Sequence, residues 1–223
     1  MADAAAFEMP APVARSPIRP AGPVRVVDGW ERSQRASAGT ASSSGALRLC
    51  DLSFLAKVSL RAPMQGPMAE RLGVGLGRAA RDGAGRLVVG SGPGEWMVLG
   101  SPGAAGAIVG ELEAAAASDP GLTSVVDLTH GRALVRLSGP DAAVGVLCKL
   151  CALDFSERAF PDGSAARSSV AAVVTDMVRD DREGVRSYLL HCERSSGQYL
   201  FDALADAGRD YGIDVCGATD KDW

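Results

Sequence analysis

The sequence has little of what most catalytic and metal-binding sites require. Only two of its 223 residues are histidine, and aromatic residues make up 5%. Its five cysteines are an odd number and do not indicate a disulfide framework in a chain of this length. The thiols are therefore expected to be mostly buried and reduced.

The sequence also lacks a long apolar run and an excess of basic residues. The nearest approach to a membrane span, residues 108–117, is short and contains Glu111 and Glu113. Residues 1–10 carry acidic side chains where a secretory signal is basic, and no apolar run follows them. With a net charge of -4, we expect no nucleic-acid or membrane partner and a cytoplasmic location.

Motifs for nucleotide binding or nucleophilic catalysis are absent. The glycine-rich stretches 73–77 and 90–94 do not match G-x-G-x-x-G, and no P-loop, G-x-S-x-G or H-E-x-x-H occurs. Cys148 and Cys151 have C-x-x-C spacing, but they lie at the C-terminal end of a predicted helix, where the dipole disfavours a thiolate. The other cysteines are isolated in the sequence. We therefore expect no catalytic, cofactor-binding or metal-binding residue on this chain.

A few polar and aromatic residues allow both a structural and a functional interpretation. His191 lies inside an apolar run, which favours a core or interface histidine. His130 lies in a turn between two predicted strands, so it is the better functional candidate, and it can equally close the turn or contact a partner. Trp96 is predicted in the core, with a stacking platform for a pterin-like ring as the alternative. The acidic stretch 179–184, with Asp176 before it, is predicted as a solvated hairpin turn.

Composition divides the chain into an arm, a body and a short tail. Residues 1–46 are rich in alanine, proline, serine and glycine and have little apolar periodicity, which predicts a mostly disordered arm. The arm is either a solvated tail or a strap that becomes ordered against a partner. The body spans residues 47–216, and residues 217–223 form the tail.

The first half of the body alternates between strand and helix patterns. In residues 57–61, Lys57 is predicted on the exposed side of a half-buried strand. Gly66 and Pro67 open a helix, and Ser101 is expected to cap the next one. The predicted elements are a strand at 57–61, a helix from 66, strands at 87–89 and 96–99, a helix to about 117, and a strand at 125–128.

The second half repeats this order. Residues 132–137 alternate, with Arg132 and Arg136 on the side opposite the apolar residues. Capping-box patterns at 138–141 and 195–198 predict the starts of two helices. The remaining predicted elements are a hairpin of strands 169–178 and 185–192 and a last strand at 211–215.

Each half therefore has the order strand, helix, strand, strand, helix, strand. This is the order of a split βαβ unit. The sequence predicts an α+β fold of two ferredoxin-like lobes, about 47–128 and 129–216, that arose by internal duplication. Two unrelated stretches with the same generic order are the alternative.

Several segments resemble the gamma subunit of heterotetrameric sarcosine oxidase. Residues 91–99 resemble that family's GPxEWLL segment, and residues 126–142 resemble its DLSHGRxxxRLSGPDA segment. Residues 153–161 and 188–202 follow as in that family. The resemblance runs from about residue 47 to residue 215 and leaves out the arm and the end of the tail.

The resemblance implies a fold similar to the folate-binding lobes of the glycine-cleavage aminomethyltransferase. It implies a complex with alpha, beta and delta subunits that oxidises sarcosine, on the CH-NH group, to glycine, hydrogen peroxide and 5,10-methylenetetrahydrofolate. FAD, FMN, NAD and tetrahydrofolate would lie on the partner subunits, and the gamma subunit would stabilise the assembly. Within the matching segments, we select as candidate partner-facing residues His130, Arg132, Arg158 and Phe160.

Two other functions stay open at this point. The first is a stand-alone folate-binding protein of the aminomethyltransferase-like fold, which would need an acidic residue in a pocket for the pterin. The repair-type relatives of that fold carry a K-G-C-Y-x-G-Q-E stretch, which this sequence lacks. The second is a free-standing module that binds a small molecule or a protein.

Overall fold

The computed structural model describes residues 12–20, 22–34, 46–117, 119, 121–217 and 223. Within these residues the chain forms fourteen strands and four α-helices. The helices are α1 (Pro67–Leu72), α2 (Ala105–Ala116), α3 (Asp141–Leu150) and α4 (Gly197–Ala207). The strands are β1 (Ala14–Arg15), β2 (Val24–Val27), β3 (Trp30–Ser33), β4 (Arg48–Asp51), β5 (Ala56–Arg61), β6 (Ala79–Arg81), β7 (Leu87–Gly92), β8 (Glu95–Gly100), β9 (Ser124–Asp127), β10 (Arg132–Ser138), β11 (Ala165–Val170), β12 (Val173–Arg179), β13 (Ser187–Glu193) and β14 (Asp214–Cys216).

The first half of the body forms a five-stranded antiparallel sheet. Its strand order is β6-β7-β8-β5-β9, and α1 and α2 connect strands within it. Without the edge strand β6, the strands of this half are β5, β7, β8 and β9 in chain order. In the sheet they lie in the order β7-β8-β5-β9, so that the first strand lies between the third and the fourth. This is the order of a split βαβ unit, so the predicted topology of the first half is correct.

The second half forms a six-stranded sheet with the order β11-β12-β13-β10-β4-β14. With β4 set aside, the same split βαβ order holds for β10, β12, β13 and β14, and the edge strand β11 corresponds to β6 of the first half. The match of both the core order and the extra edge strand supports the predicted duplication. Overall the fold is α+β, as predicted.

Strand β4 does not belong to the sheet that its place in the sequence suggested. It lies between β10 and β14, antiparallel to the first and parallel to the second. The sequence had placed residues 47–51 in the first lobe. They pair with the second sheet instead, where Leu49 is fully buried in the apolar cluster below α3 and α4.

The predicted strand at residues 169–178 is in fact a tight hairpin. β11 and β12 pair through Val170 and Val173, and the two residues between them, Ala171 and Ala172, have φ values of 48° and 67°. Left-handed turns of this kind usually carry glycine or asparagine. Because alanine occupies both positions, the sequence carries no turn signal and the pattern appears continuous.

The two sheets pack face to face, and the helices cover their outer faces. One apolar cluster lies between the sheets and includes Leu99 and Leu189. A second lies between the five-stranded sheet and α1 and α2, and a third lies between the six-stranded sheet and α3 and α4. The result is four layers, with helices outside and two sheets inside.

Part of the arm that was expected to be disordered has regular structure. Strands β1, β3 and β2 form a small sheet in that order. Ile18 and Trp30 are buried at its contact with the body. Burial of these two large apolar side chains stabilises the ordered part of the arm. The arm's overall composition, rich in alanine, proline, serine and glycine, had favoured disorder. Residues 1–11 and 35–45 lie outside the described residues.

The start of α1 is predicted correctly, whereas the side-chain caps predicted for the other three helices are absent. α1 begins as expected, with Gly66 at φ 136° and Pro67 in the first turn. Like α1, the other three helices begin without a side-chain cap hydrogen bond. In one of them Ser138, which was expected to be the cap, is instead the last residue of β10 and pairs with Ser187 in the ladder.

Candidate functional site

His130 lies on the surface, at the turn between β9 and β10. Its ring stacks on the indole of Trp30, with ring centroids 4.8 Å apart and planes 3° apart. Trp30 belongs to the arm, so the stacking joins the arm to the turn. The sequence proposed this histidine as a partner contact, and the structure shows that its intramolecular partner is the arm.

Arg132 and Arg194 are close to the same turn. Arg132 forms an ion pair with Glu193 at 2.8 Å, across the β10–β13 ladder. Arg194 donates from Nη2 to the backbone oxygen of Arg15 at 2.7 Å. The Arg194 hydrogen bond and the stacking of Trp30 on His130 attach the arm sheet to one end of the six-stranded sheet. We call the residues His130, Arg132, Arg194 and strands β1 to β3 the arm face.

Arg158 and Phe160 lie elsewhere. Phe160 is 6% exposed and packs against Phe155 and Tyr188, while Arg158 is exposed on the loop before it. Tyr188 lies near the start of β13 and Glu193 at its end, which separates the two places by about 17 Å along the strand. The structure therefore does not bring the four predicted interface residues together, and it buries the Phe160 side chain.

The arm face includes an exposed sheet edge. β2 is the outer strand of the arm sheet, and within the described residues it pairs only with β3. Val24 and Val26 on this strand are 46% and 54% exposed. An edge strand with exposed valines is a template for pairing with another chain.

Lys57 was predicted on the solvent side of β5 but is completely buried. Its Nζ donates to the backbone oxygens of Ser53 at 2.7 Å and Leu55 at 2.8 Å. Burial lowers its pKa from 10.5 to about 7, although Asp51 and Asp127 oppose the change. The prediction was wrong because β5 is an inner strand whose two faces are both covered, and alternation cannot show that.

His191 lies in the layer between the sheets. Its pKa falls to about 4 because burial disfavours the charged ring, although Asp176 opposes the shift, with its Oδ2 3.6 Å from Nδ1. Neither ring nitrogen has a hydrogen-bond partner among the described residues. The predicted core position of this histidine is confirmed, whereas the hydrogen-bonded ring that was expected with it is not found in the described part of the chain.

Asp176 connects this histidine to the other sheet. Its carboxylate accepts a hydrogen bond from Nε of Arg167 at 2.7 Å, and Nη1 of Arg167 lies 3.2 Å from the carboxylate of Glu95. Glu95 is the first residue of β8, so the chain of charges spans both sheets. Asp176 was predicted on a solvated turn, and the structure places it buried within β12 because the turn begins later.

A cavity of about 170 Å³ lies between the arm and the edge formed by β4 and β14. Asp51 is on its wall, and burial raises the pKa of this carboxyl even though Ser53 N donates to it at 2.9 Å. The other residues that line it are mainly basic and apolar, among them Arg15, Arg32, Trp30, Phe54, Phe201 and Cys216.

The cavity beside Asp51 and the layer between the sheets leave too little room for a whole folate. The cavity beside Asp51 is below the roughly 300–1,000 Å³ typical of pockets for ligands of that size. The layer between the sheets is filled by side chains such as Leu99 and Leu189. Trp96 is no stacking platform, because it is 5% exposed and its Nε1 donates to Val74 O at 2.7 Å.

Metal chemistry and thiol redox chemistry of the C-x-x-C pair find little support in the described residues. No group of three or more potential ligands clusters among them. Cys151 follows the last residue of α3, and Cys148 is exposed on its final turn, which agrees with the predicted C-terminal position.

Among the described helices, the longest apolar stretch falls short of what a bilayer span needs.

Comparisons with known proteins agree with this architecture. Residues 85–222, more than half of the chain, match the family model of the GCVT N-terminal domain. The structure is similar to a chain of the heterotetrameric sarcosine oxidase from Corynebacterium sp. U-96 in complex with pyrrole 2-carboxylate. That similarity has a TM-score of 0.65 and 27% identity and covers 76% of this chain and 87% of that chain.

A second similar structure is the glycine cleavage system aminomethyltransferase T from Bartonella henselae. The TM-score is 0.67 and the identity 16%, over 88% of this chain and 56% of that one. At this identity the similarity concerns the fold, and the chain spans just over half of the aminomethyltransferase. A search of curated protein sequences found no match.

Proposed function

Because the chain belongs to the family of the GCVT N-terminal domain, we propose that it is a non-catalytic, gamma-type subunit of a heterotetrameric sarcosine oxidase. The observation that carries the proposal is the similarity to a chain of such an oxidase at 27% identity, which extends over 87% of that chain. Similarity over nearly a whole subunit favours an equivalent place in an assembly over a shared domain alone.

The proposed complex converts sarcosine to glycine, with hydrogen peroxide and 5,10-methylenetetrahydrofolate as the other products. Alpha, beta and delta subunits would be its partners in the cytoplasm. FAD, FMN, NAD and tetrahydrofolate would bind to those partners, as the resemblance to the gamma subunit implies.

The state of the buried charged groups supports a non-catalytic role. A catalytic base must reach its substrate within hydrogen-bond distance, directly or through one water. Lys57 is 0% exposed and donates to two backbone oxygens, and His191 is 2% exposed between the sheets. Both groups have the shifted pKa typical of active sites, yet neither opens on a cavity that has been described above.

We place the partner contact on the arm face. Its edge strand β2 exposes Val24 and Val26, and its turn carries His130 and Arg132. A permanent interface buries apolar side chains at its centre and places charged residues at its rim, which is the arrangement of this face. Arg158 would belong to a separate contact.

Co-purification tests the proposed subunit role. The tagged chain is expressed together with the proteins encoded beside it, and the purified material is assayed for flavin absorbance and for peroxide formed from sarcosine. We expect a yellow complex that makes peroxide. A colourless protein that purifies alone would overturn the proposal, and tetrahydrofolate binding by that protein would establish the folate-binding alternative.

Paired substitutions test the arm face. Val26→Asp puts a charge at the centre of the proposed interface, and we expect at least a tenfold loss of co-purified flavin. Val174→Asp is the matched control, since Val174 is a strand valine that is 69% exposed on β12, outside the arm face. Equal yields from the two variants, with both chains folded, would place the contact elsewhere.

A further inference from the structure

Two cysteines that are far apart in the sequence meet on neighbouring strands. Cys50 on β4 and Cys216 on β14 are register partners in the parallel ladder. Their Sγ atoms are 2.8 Å apart, and 166 positions separate them in the chain. Neighbouring strands lie about 4.8 Å apart, and this spacing falls within the range of Cα separations that a disulfide spans.

The surroundings of Cys216 favour reaction at its sulfur. Arg48 donates from Nη2 to the Sγ of Cys216 at 3.2 Å and lies 3.8 Å from the Sγ of Cys50. A guanidinium beside a sulfur stabilises the thiolate, which is the nucleophilic form. Cys216 also lines the cavity of about 170 Å³ below the arm, which is large enough to admit a molecule as small as hydrogen peroxide.

We propose that Cys50 and Cys216 form a disulfide in response to hydrogen peroxide. The Cys216 thiolate attacks one peroxide oxygen, the O–O bond breaks, and a sulfenic acid and hydroxide form. The Cys50 thiol then attacks that sulfur, the S–S bond forms, the S–O bond breaks, and water leaves with the proton of Cys50. The hydroxide takes up the proton that Cys216 released on ionising, so in total two thiols and one peroxide give one disulfide and two waters.

The disulfide would link β14, the last strand of the body, to β4, the strand that lies in the sheet of the other half. β4 precedes the five-stranded sheet in the chain but pairs within the other sheet, and β14 is held there by β4. Closing so long a loop restricts the unfolded chain strongly. We therefore expect the oxidised chain to melt roughly 5 °C or more above the reduced chain.

Peptide mapping of the full chain tests the proposal without any partner. The reduced chain is treated with hydrogen peroxide, alkylated, and digested with trypsin without reduction. Trypsin leaves each of the five cysteines in a different peptide, and it releases Cys50 within residues 49–57 and Cys216 within residues 210–221. We expect these two peptides linked, and released again by a thiol reductant.

Internal controls make each result decisive. Met64 is 60% exposed, so its conversion to the sulfoxide shows that the peroxide dose was sufficient. Met64 oxidation with both cysteines still alkylated, or with Cys216 over-oxidised and unlinked, would overturn the proposal. A link between Cys148 and Cys151 in place of the expected one would do the same.

Three variants separate the disulfide from general oxidation. Cys50→Ser and Cys216→Ser should lose both the linked peptide and the rise in melting temperature, whereas Cys148→Ser, at an exposed thiol, should keep both. Since peroxide is added to the isolated chain, failure of this experiment leaves the proposed subunit role unaffected, and failure of co-purification leaves the disulfide unaffected.

Discussion

Arg136 and Asp180 form a buried ion pair, with Nη2 of the arginine 2.6 Å from Oδ2 of the aspartate. Their side chains are 2% and 10% exposed. Nη2 of Arg81 lies 3.0 Å from the same oxygen, and Arg81 belongs to β6 of the other sheet. Asp180 thus joins charged side chains of the two sheets, as Arg167 does between Asp176 and Glu95.

Removing the aspartate should therefore cost more than removing the arginine. Asp180→Ala leaves Arg136 buried without its counter-charge, and we expect a loss of about 3–5 kcal/mol in the free energy of unfolding. Arg136→Met should cost less, because Asp180 keeps Arg81. Urea unfolding measures both, with Asp206→Ala at an exposed ion pair as the control. If Asp180→Ala lost less unfolding free energy than Arg136→Met, Asp180 would not be the shared counter-charge of the two arginines.

The buried Lys57 should make stability depend on pH in the neutral to alkaline range. Its pKa is about 7 in the folded chain and 10.5 in the reference state, so between these values the unfolded chain binds more protons. The contribution of Lys57 is therefore complete above pH 10.5 and is lost as the pH falls to about 7. Relative to Lys57→Met, the wild type should gain up to about 1.4 kcal/mol per pH unit in this window.

Urea unfolding at pH 7, 8 and 9 measures this difference. Lys149→Met is the matched control, since Lys149 is on the surface and its ion pair with Asp210 raises its pKa, away from the window. Subtracting the variant from the wild type cancels the titration of the cysteines. Parallel pH profiles for the wild type and Lys57→Met would show that the amine stays charged throughout.

The buried His191 should make the stability of the folded chain depend on pH in the acidic range. Its pKa is about 4 in the folded chain against 6.5 in the reference state, so its contribution is present above pH 6.5 and is lost as the pH falls towards 4. His191→Phe keeps the ring and removes the proton site. We expect the wild type to lose stability faster than this variant between pH 6.5 and 4.5, in thermal melts. Equal slopes would mean that the ring is already protonated when buried.

Gly90 should resist substitution for steric reasons. A Cβ there would lie 2.1 Å from the backbone oxygen of Gly75, which has no rotamer by which to move away. We expect Gly90→Ala to destabilise the chain by about 1–3 kcal/mol. Gly83→Ala is the control, because nothing lies within 4 Å of its added Cβ. Similar melting temperatures for the two variants would refute the close approach of β7 to residues 75–76.

The parts of the site that could be predicted are those with a local signal. His191 was placed in the core because apolar residues surround it in the sequence, and Cys151 was placed at a helix end because the apolar period stops there. Lys57 and Arg136 were placed on the polar face of their strands, but that face is buried. Each alternates correctly with its neighbours, but both faces of β5 and β10 are covered, so the polar face is buried as well.

By itself the sequence determined the order of the elements, the repetition of that order in two halves, and the resemblance that named a family. These follow from local periodicity, from glycine and proline positions, and from runs of identical residues. Only the tertiary structure decided that β4 lies in the second sheet, that Cys50 meets Cys216, and that Trp30 stacks on His130. Such contacts join residues 84 or more positions apart, and their formation depends on strand pairing and burial, which no local pattern encodes.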